Sequence, residues 1–367
     1  WTSTRMTKNI HDLDTPTLLV DSERLESNLR DMQETANAAG VGLRPHIKTH
    51  KCLEIAKKQT AYGAAGLTCA KISEAEAMSW VCSDLFIAYP IVGEIKLDRL
   101  DRLNDRAKTR VSVECEAGVE MLEAHLAQVG RDQDVMIKIE TGLKRTGQEV
   151  SDLKQFLEFL AGKKHIRPMG IFTHEGKAYG LHGEEEIRPL LQNISEKMAE
   201  AATIFEEVTG KRPLVSPGCT LTARLVREGL GFDEIRPGTY VFKDTYCVES
   251  GIYRPEECAL SVLVQIVSVK SDGRVVVDGG SKTFALDRHK EMGHGRVHAH
   301  PDLMFDRLSE EHGVFVTDRP EKYQVGQRLE VIPTHVCPVV NLHNHLVVRK
   351  GEEVVDVWDV DARGCVR

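Results

Sequence analysis

The stretch LRPHIKTHK, from Leu43 to Lys51, joins a short apolar run to a cluster of basic residues. It opens a series of eight short runs, each followed by a helical pattern. The runs are LRPHIK (43–48), GLTCA (66–70), LFIAYP (85–90), RVSVEC (110–115), VMIKIE (135–140), MGIFTH (169–174), PLVSPG (213–218) and EIRPGTYVF (234–242). This alternation predicts an α/β fold, a (β/α)8 TIM-like barrel. A doubly wound open sheet is the alternative, but no GxGxxG motif follows the first strand.

The helical patterns supply the connections that such a barrel needs. They follow a first helix at 22–39 and fall near 52–62, 73–81, 93–107, 117–129, 151–162, 184–209 and 221–228. Ser73 and Glu76 have the spacing of a capping box, which predicts that a helix begins there. Gly210 is placed to end the long helix at 184–209.

The pattern changes near residue 250, which predicts a second domain. ALSVLVQIVSVKSDGRVVVDGG (259–280) is rich in Val and Ile and contains a hairpin-type SDG turn. We expect a barrel domain over 22–249 and an all-β domain over 250–367. The strand TLLVD (17–21) has no place left in the barrel, so the segment of about 1–21 is expected to join the β domain.

Composition narrows the class of function. The chain has 367 residues, 41% hydrophobic and 28% charged, with a formal net charge of −8. That charge argues against nucleic acid or an anionic membrane as the partner. No apolar run is long enough to span a bilayer, and the first residues lack the apolar core of a secretory signal. Nine scattered cysteines without a CxxC pair predict reduced thiols and a cytoplasmic location.

Basic residues lie where the predicted strands end. Lys48 closes the first strand, and a lysine in a barrel mouth near other cations can act as a Schiff-base amine. Arg44 and His46 alternate with Lys48 on one strand face, so a rim of solvated basic residues is the alternative. Arg145 follows the fifth strand and His174 ends the sixth, which places more basic groups at the same edge.

Small residues follow the last two predicted strands. SPGCT (216–220) opens a helix, and RPGTY (236–240) lies in the eighth strand. Backbone N–H groups at such positions suit a bound anion, and a phosphate site after strands seven and eight is common in barrels. Each signal alone is weak, because SPG is more often an ordinary turn, and a hydrogen-bonded core histidine is the alternative for His174.

The combination resembles the fold-type III pyridoxal-phosphate enzymes, and most of all the D-threonine aldolase and D-serine dehydratase family. The motifs that carry the resemblance are DTPTLLVD (14–21), LRPHIKTHK (43–51), RPGTY (236–240), EEHGV (310–314), PTHVCPVVNLH (333–343) and VVDVWDVDARG (354–364). It implies an alanine-racemase-like barrel followed by a β domain, a homodimer, and a small D-amino acid as substrate.

The resemblance also implies roles for individual residues around pyridoxal phosphate. Lys48 would form the internal aldimine, Arg145 would lie near the cofactor ring, and His174 would pack against the ring. Lys51 would be a rim or supporting lysine. The implied phosphate contacts are Ser216, Gly218, Cys219, Thr220, Gly238, Thr239 and Tyr240.

A metal pair is expected in the β domain. His335 and Cys337 are two apart, so on an extended strand both side chains would face the same way. They fall where the family has its metal pair, and imidazole with thiolate suits zinc, with manganese or cobalt possible. Glu310 matches an acidic position of the family, as a catalytic group near the metal, and a surface carboxylate is the alternative. His343 and His345 are either close to the pair or structural.

The resemblance implies a lyase for D-β-hydroxy amino acids with two outcomes. A dehydratase would give a 2-keto acid and ammonia, whereas an aldolase would give glycine and an aldehyde. Aldolases of the family typically show His-x-Asp and the dehydratases His-x-Cys, so His335-Val336-Cys337 favours a D-serine or D-threonine type dehydratase. An amino-acid racemase is a less favoured alternative, because it would need no metal pair. A non-enzymatic pyridoxal-phosphate carrier is disfavoured, because such carriers lack the β domain.

Overall fold

A computed structural model of the chain describes residues 9–367. The first eight residues of the segment expected to join the β domain lie outside that range. The chain divides into two compact units. The β unit comprises residues up to 29, 49–52 and 239–364, and the α/β unit comprises 30–48, 53–238 and 365–367.

Strands and helices alternate along much of the described chain. The strands are β1 (Thr17–Asp21), β2 (Gly42–Leu43), β3 (Leu67–Cys69), β4 (Asp84–Pro90), β5 (Lys108–Val113), β6 (Gln133–Lys138), β7 (Ile166–Phe172), β8 (Leu214–Ser216), β9 (Glu234–Ile235), β10 (Leu260–Val269), β11 (Arg274–Val277), β12 (Gly295–Arg296), β13 (Met304–Leu308), β14 (Gly313–Val316), β15 (Arg328–Pro333), β16 (His345–Lys350) and β17 (Glu353–Asp359). The helices are α1 (Ser22–Ala38), α2 (Leu53–Ala61), α3 (Ile72–Met78), α4 (Glu94–Asn104), α5 (Glu116–Val129), α6 (Leu153–Ala161), α7 (Gly183–Thr209), α8 (Thr220–Ala223), α9 (Thr245–Glu249), α10 (Ser281–Phe284) and α11 (Val336–Leu342).

Parallel strands alternate with helices throughout the α/β unit. Strands β3 to β8 form one six-stranded parallel sheet in sequence order, and β2 pairs with β9 in a separate parallel ladder. Each of the eight predicted runs therefore contributes a strand. The continuous ladder joins six of them, so the structure has a six-stranded parallel sheet and a separate pair rather than one eight-stranded ladder.

Apolar side chains on both faces explain why these strands read as continuous hydrophobic runs. Val111, Val135 and Ile137 are all buried, as expected for a parallel sheet covered on both sides. Phe86 and Phe172 meet edge to face with ring centroids 4.9 Å apart, and Met136 joins their cluster. The helices present one apolar face each. In α6 that face consists of Leu153, Phe156, Leu157 and Leu160.

The first barrel strand is shorter than predicted. It ends at Leu43, and Lys48 lies in a 3₁₀-helix over Ile47–Thr49. The proposed rim of solvated basic residues is wrong for Arg44, which is only 2% exposed. Its guanidinium lies 2.8 Å from Glu234 and 2.7 Å from Asp84, because a buried cation needs paired acceptors.

Two predictions about helix ends had different outcomes. The capping box is wrong, because α3 begins at Ile72 and the Ser73 hydroxyl donates to the backbone carbonyl of Arg367. Gly210 does end α7 in the left-handed conformation, with φ of 67°. The eighth predicted helix, 221–228, is reduced to the four residues of α8.

Antiparallel strands make up most of the β unit. Strands β10, β11, β14, β13, β12 and β15 pair in that order, and β15 pairs with β10, so this part of the sheet closes on itself. Strand β1 extends it, antiparallel to β10 and parallel to β16, and β17 forms the outer edge. Among the described strands, closure leaves no edge within the barrel part.

The expected extended strand through both His335 and Cys337 is wrong, because the His335 backbone is extended but Cys337 is helical. Strand β15 ends at Pro333, His335 is the N-cap of α11, and Cys337 lies in its first turn. Pro338 is tolerated there because N–H groups of a first helical turn have no intrahelical acceptor. Within residues 9–367, none of the helices combines the length and apolar character needed to cross a bilayer.

Candidate active site

A cavity of about 370 Å³ opens in the α/β unit among the ends of its strands. Its volume lies in the range typical of small-molecule sites. The lining side chains that can carry a positive charge are His46, Lys48, Lys71, Lys138, Arg145, His174 and Arg236. Among the described residues that line it there is no carboxylate. Such a cavity favours a ligand with several negative charges.

Lys48 reaches this cavity from the 3₁₀-helix that follows β2. Its backbone N–H lies 3.5 Å from Nδ1 of His46. Within the described part of the chain its ammonium makes no ion pair. A primary amine that lines a cationic cavity, without a carboxylate holding it, is available for a carbonyl group.

Three further cations in the cavity, Lys71, Lys138 and Arg236, were not singled out by the sequence analysis. Lys138 ends β6 and donates to the hydroxyl of Thr146, and burial with the nearby Arg145 charge lowers its pKa. Burial lowers the pKa of Arg236 to about 10. A charged residue at the end of a buried strand was the signal used for Lys48, and it applies equally to Lys138.

His174 follows β7, and its ring is fixed by the SPGCT segment (216–220), where phosphate contacts were predicted. Its Nδ1 lies 2.6 Å from the carbonyl oxygen of Gly218. Burial lowers the pKa of His174 to about 4, and the charges of Lys48, Arg145 and Arg236 add to this effect. The imidazole is therefore neutral at pH 7, with its proton on Nδ1.

The loop before α8 is held by a buried carboxylate that the sequence analysis missed. Glu175 accepts the backbone N–H of Gly218 at 2.7 Å and the hydroxyl of Thr222 at 3.0 Å, and burial raises its pKa. Gly218 has no room for a side chain, because a Cβ would lie 2.9 Å from Cβ of Arg236. Cys219 and Thr220 follow it as buried residues.

The predicted phosphate contacts are thus divided. Gly218 lines the cavity, whereas the Ser216 hydroxyl donates to Glu234 at 2.9 Å and is fully buried. Gly238 is a buried residue of the α/β unit, and Thr239 and Tyr240 are buried residues of the β unit. Burial raises the pKa of the Cys219 thiol to about 11, so this group stays protonated at pH 7.

The predicted metal pair lies in the β unit at the start of α11. The Cys337 sulfur is 3.2 Å from the hydroxyl of Thr49 and 3.9 Å from that of Thr239. Nδ1 of His335 is 3.5 Å from a carboxylate oxygen of Asp287. The two predicted ligands are therefore neighbours on one turn.

Charge at this turn favours a protonated imidazole in the absence of a cation. Burial lowers the pKa of His335, but the Cys337 thiol and the carboxylates of Asp244 and Asp287 outweigh it and raise that pKa to about 9. Thiolate and imidazole are a donor set that fits zinc, with water or substrate needed to complete the coordination. Within residues 9–367 no group of three or more His, Cys, Asp or Glu is arranged to hold a metal ion.

The other residues proposed near the metal have other partners among the described residues. Glu310 is 79% exposed, and its one ion pair among the described residues is with Lys282 at 3.1 Å. His343 Nε2 lies 3.1 Å from the Thr283 carbonyl oxygen. His345 is exposed and faces Asp359.

The donor set of the α/β cavity fits pyridoxal phosphate. Lys48 offers the amine that the aldehyde requires, and the arginines and lysines offer charge for the phosphate and for a carboxylate. The neutral ring of His174 suits a face-on contact with an aromatic cofactor.

Comparison with known proteins identifies the family. Residues 20–245 match the alanine racemase, N-terminal domain family, and residues 259–349 match the putative serine dehydratase domain. A D-threonine aldolase of Arthrobacter sp is 31% identical, with 97% of this chain and 94% of the relative covered. The chain belongs to the D-threonine aldolase and D-serine dehydratase family. The resemblance inferred from the sequence is confirmed, and so is an alanine-racemase-like fold.

Members of this family with different reactions match the chain almost equally. A D-threo-3-hydroxyaspartate dehydratase of Delftia sp. (strain HT23) is 29% identical, with 89% of this chain and 91% of the relative covered. A solved structure of an enzyme with that name, a cysteine-to-alanine variant in the metal-free form, is 27% identical. It has a TM-score of 0.88 and covers 96% of this chain and 98% of its own.

Proposed function

We propose that this protein is a pyridoxal-phosphate- and metal-dependent lyase for D-β-hydroxy amino acids, and that it acts as a dehydratase. The broader class, a lyase of this family, is confirmed by the relatives. The narrower assignment depends on one observation, the His335-x-Cys337 pair at the start of α11.

Lys48 would hold the cofactor, and Arg145, His174 and Gly218 would surround it. Pyridoxal phosphate, when bound, stabilises negative charge at the substrate Cα. The Lys48 amine is the base we assign to the α-proton, because the described cavity lining has no carboxylate for that task. The neutral His174 donates its Nδ1–H to the Gly218 carbonyl oxygen, so we assign that nitrogen no proton transfer.

His335 and Cys337 would hold the metal, with zinc favoured over manganese or cobalt. A divalent cation, when bound, acts as a Lewis acid toward an oxygen that must leave. A D-threo-3-hydroxyaspartate dehydratase of this family has been solved as a cysteine-to-alanine variant in the metal-free form. Glu310 is exposed in this chain, so we assign it no step.

Aldol cleavage is the second candidate, because the 31% identical relative is a D-threonine aldolase. The two reactions differ in the bonds that they break. Dehydration breaks Cα–H and Cβ–O and gives water, then a 2-keto acid and ammonia. Cleavage breaks Cα–Cβ and gives glycine and an aldehyde. The His-x-Cys pair supports the first.

A product assay separates these reactions. Purified protein is incubated with D-threonine, pyridoxal phosphate and zinc or manganese, with the Lys48→Arg variant as the control. We expect ammonia with 2-oxobutyrate in equal amounts. Glycine with acetaldehyde would establish the aldolase, and D-to-L conversion without either product pair would contradict both lyase assignments.

We also infer that β2 and β9 complete a closed eight-stranded barrel with β3–β8. Thr68 N–H donates to Pro45 O at 2.8 Å, and Asp233 N–H donates to Val215 O at 2.9 Å, which supports pairing on both sides of the gap. Amide hydrogen exchange tests this, since both amides should be protected as strongly as ladder amides.

A homodimer and a cytoplasmic location remain part of the proposal. The nine cysteines are free thiols, which supports a reducing compartment. Light scattering on the purified protein should give the mass of two chains, and the mass of one chain would contradict the dimer. We retain the division near residue 250 as the boundary of the barrel domain.

A further inference from the structure

A buried carboxylate accepts a hydrogen bond from the turn that carries the predicted metal pair. Asp244 is 1% exposed and is the N-cap of α9. Its Oδ1 accepts the backbone N–H of Cys247 at 3.0 Å, and its Oδ2 accepts the backbone N–H of Val336 at 3.2 Å. One carboxylate therefore joins the first turns of two helices that are distant in sequence.

The second of these contacts falls between the two predicted ligands. His335 is the N-cap of α11 but its side chain makes no capping hydrogen bond. The N–H of Val336, the first residue of the helix, would otherwise be a buried donor without an acceptor, which is costly. Asp244 supplies that acceptor.

A further contact fixes the same segment from the α9 side. The Thr245 hydroxyl donates to the Ile332 carbonyl oxygen at 3.2 Å, which ties the end of β15 to α9. With Asp244 on Val336, the backbone is held on both sides of His335. Rigid support of this kind sets the geometry of a two-ligand site, and within residues 9–367 no third His, Cys, Asp or Glu is arranged to complete it.

We propose that Asp244 is a positioning residue for the metal, which holds the His335-x-Cys337 turn in the geometry that binds Zn²⁺. This inference rests on the proposed metal-dependent function. It assigns to Asp244 a contact with the backbone of the pair, not with the metal or the substrate.

Two variants remove the contact in different ways. Asp244→Asn loses one of its two carboxylate acceptors. Val336→Pro removes the N–H that Asp244 accepts while keeping a residue favoured at the first helical position, and the extended His335 backbone is compatible with a following proline. Asp278→Asn is the matched control, because Asp278 also accepts a backbone N–H in the β unit, that of Gln265 at 2.9 Å.

Metal is first removed from each protein with a chelator. The affinity for added Zn²⁺ is then measured by competition with a chromophoric chelator. In a parallel sample, Co²⁺ absorption probes thiolate ligation. Circular dichroism and thermal unfolding of the metal-free proteins verify folding. We expect both variants to bind Zn²⁺ about 10- to 100-fold more weakly and to lose or shift the cobalt–thiolate band, with the control unchanged.

The outcomes separate the two proposals. If the unaltered protein binds neither ion stoichiometrically, the metal-dependent function fails, and the inference about Asp244 fails with it. If the unaltered protein binds Zn²⁺ and either folded variant matches it in affinity and cobalt spectrum, Asp244 has a structural role only and the inference is overturned while the function stands.

Discussion

Nδ1 of His174 lies 2.6 Å from the carbonyl oxygen of Gly218, so the imidazole must carry its proton on that nitrogen. Burial beside Lys48, Arg145 and Arg236 keeps the ring neutral, with a pKa of about 4. The same contact locks the ring to the loop that precedes α8. The hydrogen bond thus links the orientation of the His174 ring to the conformation of the SPGCT segment (216–220).

Replacement of His174 by Phe should reduce the loss of stability in acid. An unfolded histidine takes up a proton near pH 6.5, whereas His174 resists protonation to about pH 4. Its contribution to stability is therefore complete above pH 6.5 and is lost as the pH falls to 4, by up to about 3 kcal/mol. Urea unfolding at pH 7 and pH 4.5 measures the effect. The control, exposed His345→Phe, should lose as much free energy of unfolding between pH 7 and pH 4.5 as the unaltered protein. The prediction is contradicted if His174→Phe loses that same amount.

Lys48→Arg should abolish catalysis while preserving the charge of the cavity. The guanidinium keeps a positive charge but cannot condense with the aldehyde. We expect the visible absorbance of a lysine-bound cofactor to vanish and turnover to fall at least about a thousandfold. Spectra and product assays on the same preparations measure both. A variant that keeps the band and the activity would exclude Lys48 as the attachment site.

Arg44→Met should destabilise the protein by about 3–5 kcal/mol. The change leaves Glu234, which is 3% exposed, without its closest cation, and Arg110 at 3.6 Å compensates only in part. The midpoint and slope of urea unfolding measure the loss. Arg188→Met is the control, since Arg188 pairs with Glu184 on the surface of α7 and should cost less than about 1 kcal/mol.

His335→Ala should remove the metal without unfolding the β unit. The side chain is partly exposed and is not a core residue, so the thermal midpoint of the metal-free protein should change little. Elemental analysis after dialysis should show less than one tenth of the zinc bound by the unaltered protein. Exposed His345→Ala should retain full metal content. Unchanged zinc in His335→Ala would refute the assignment of this ligand.

Local pattern was enough to predict most of the strands. The runs over 85–90, 110–115 and 135–140 each became a buried strand, because a parallel sheet covered on both faces requires apolar side chains throughout. The residues that follow such strands, Lys48, Arg145 and His174, do line one cavity. The alternation of strands and helices is a local pattern, so it predicts which residues lie at strand ends even when the distant contacts are unknown.

The errors arose where distant partners decide the structure. Arg44 resembles its basic neighbours, but its acceptors Asp84 and Glu234 are 40 and 190 residues away. The segment THVCPVVNL has the β-branched content of a strand, yet α11 begins at Val336 with Asp244 accepting its first N–H from 92 positions away. Propensity cannot anticipate an acceptor that only the folded chain supplies.

Strand β1 has a consequence for how the molecule is made. It hydrogen-bonds with β10 and β16, which begin at Leu260 and His345. At typical rates of synthesis, roughly 12–48 s pass between the emergence of β1 and that of its first partner strand. During that time its Leu18, Leu19 and Val20 have no sheet to enter. We therefore expect ribosome-bound fragments that stop near residue 250 to recruit chaperones through this segment.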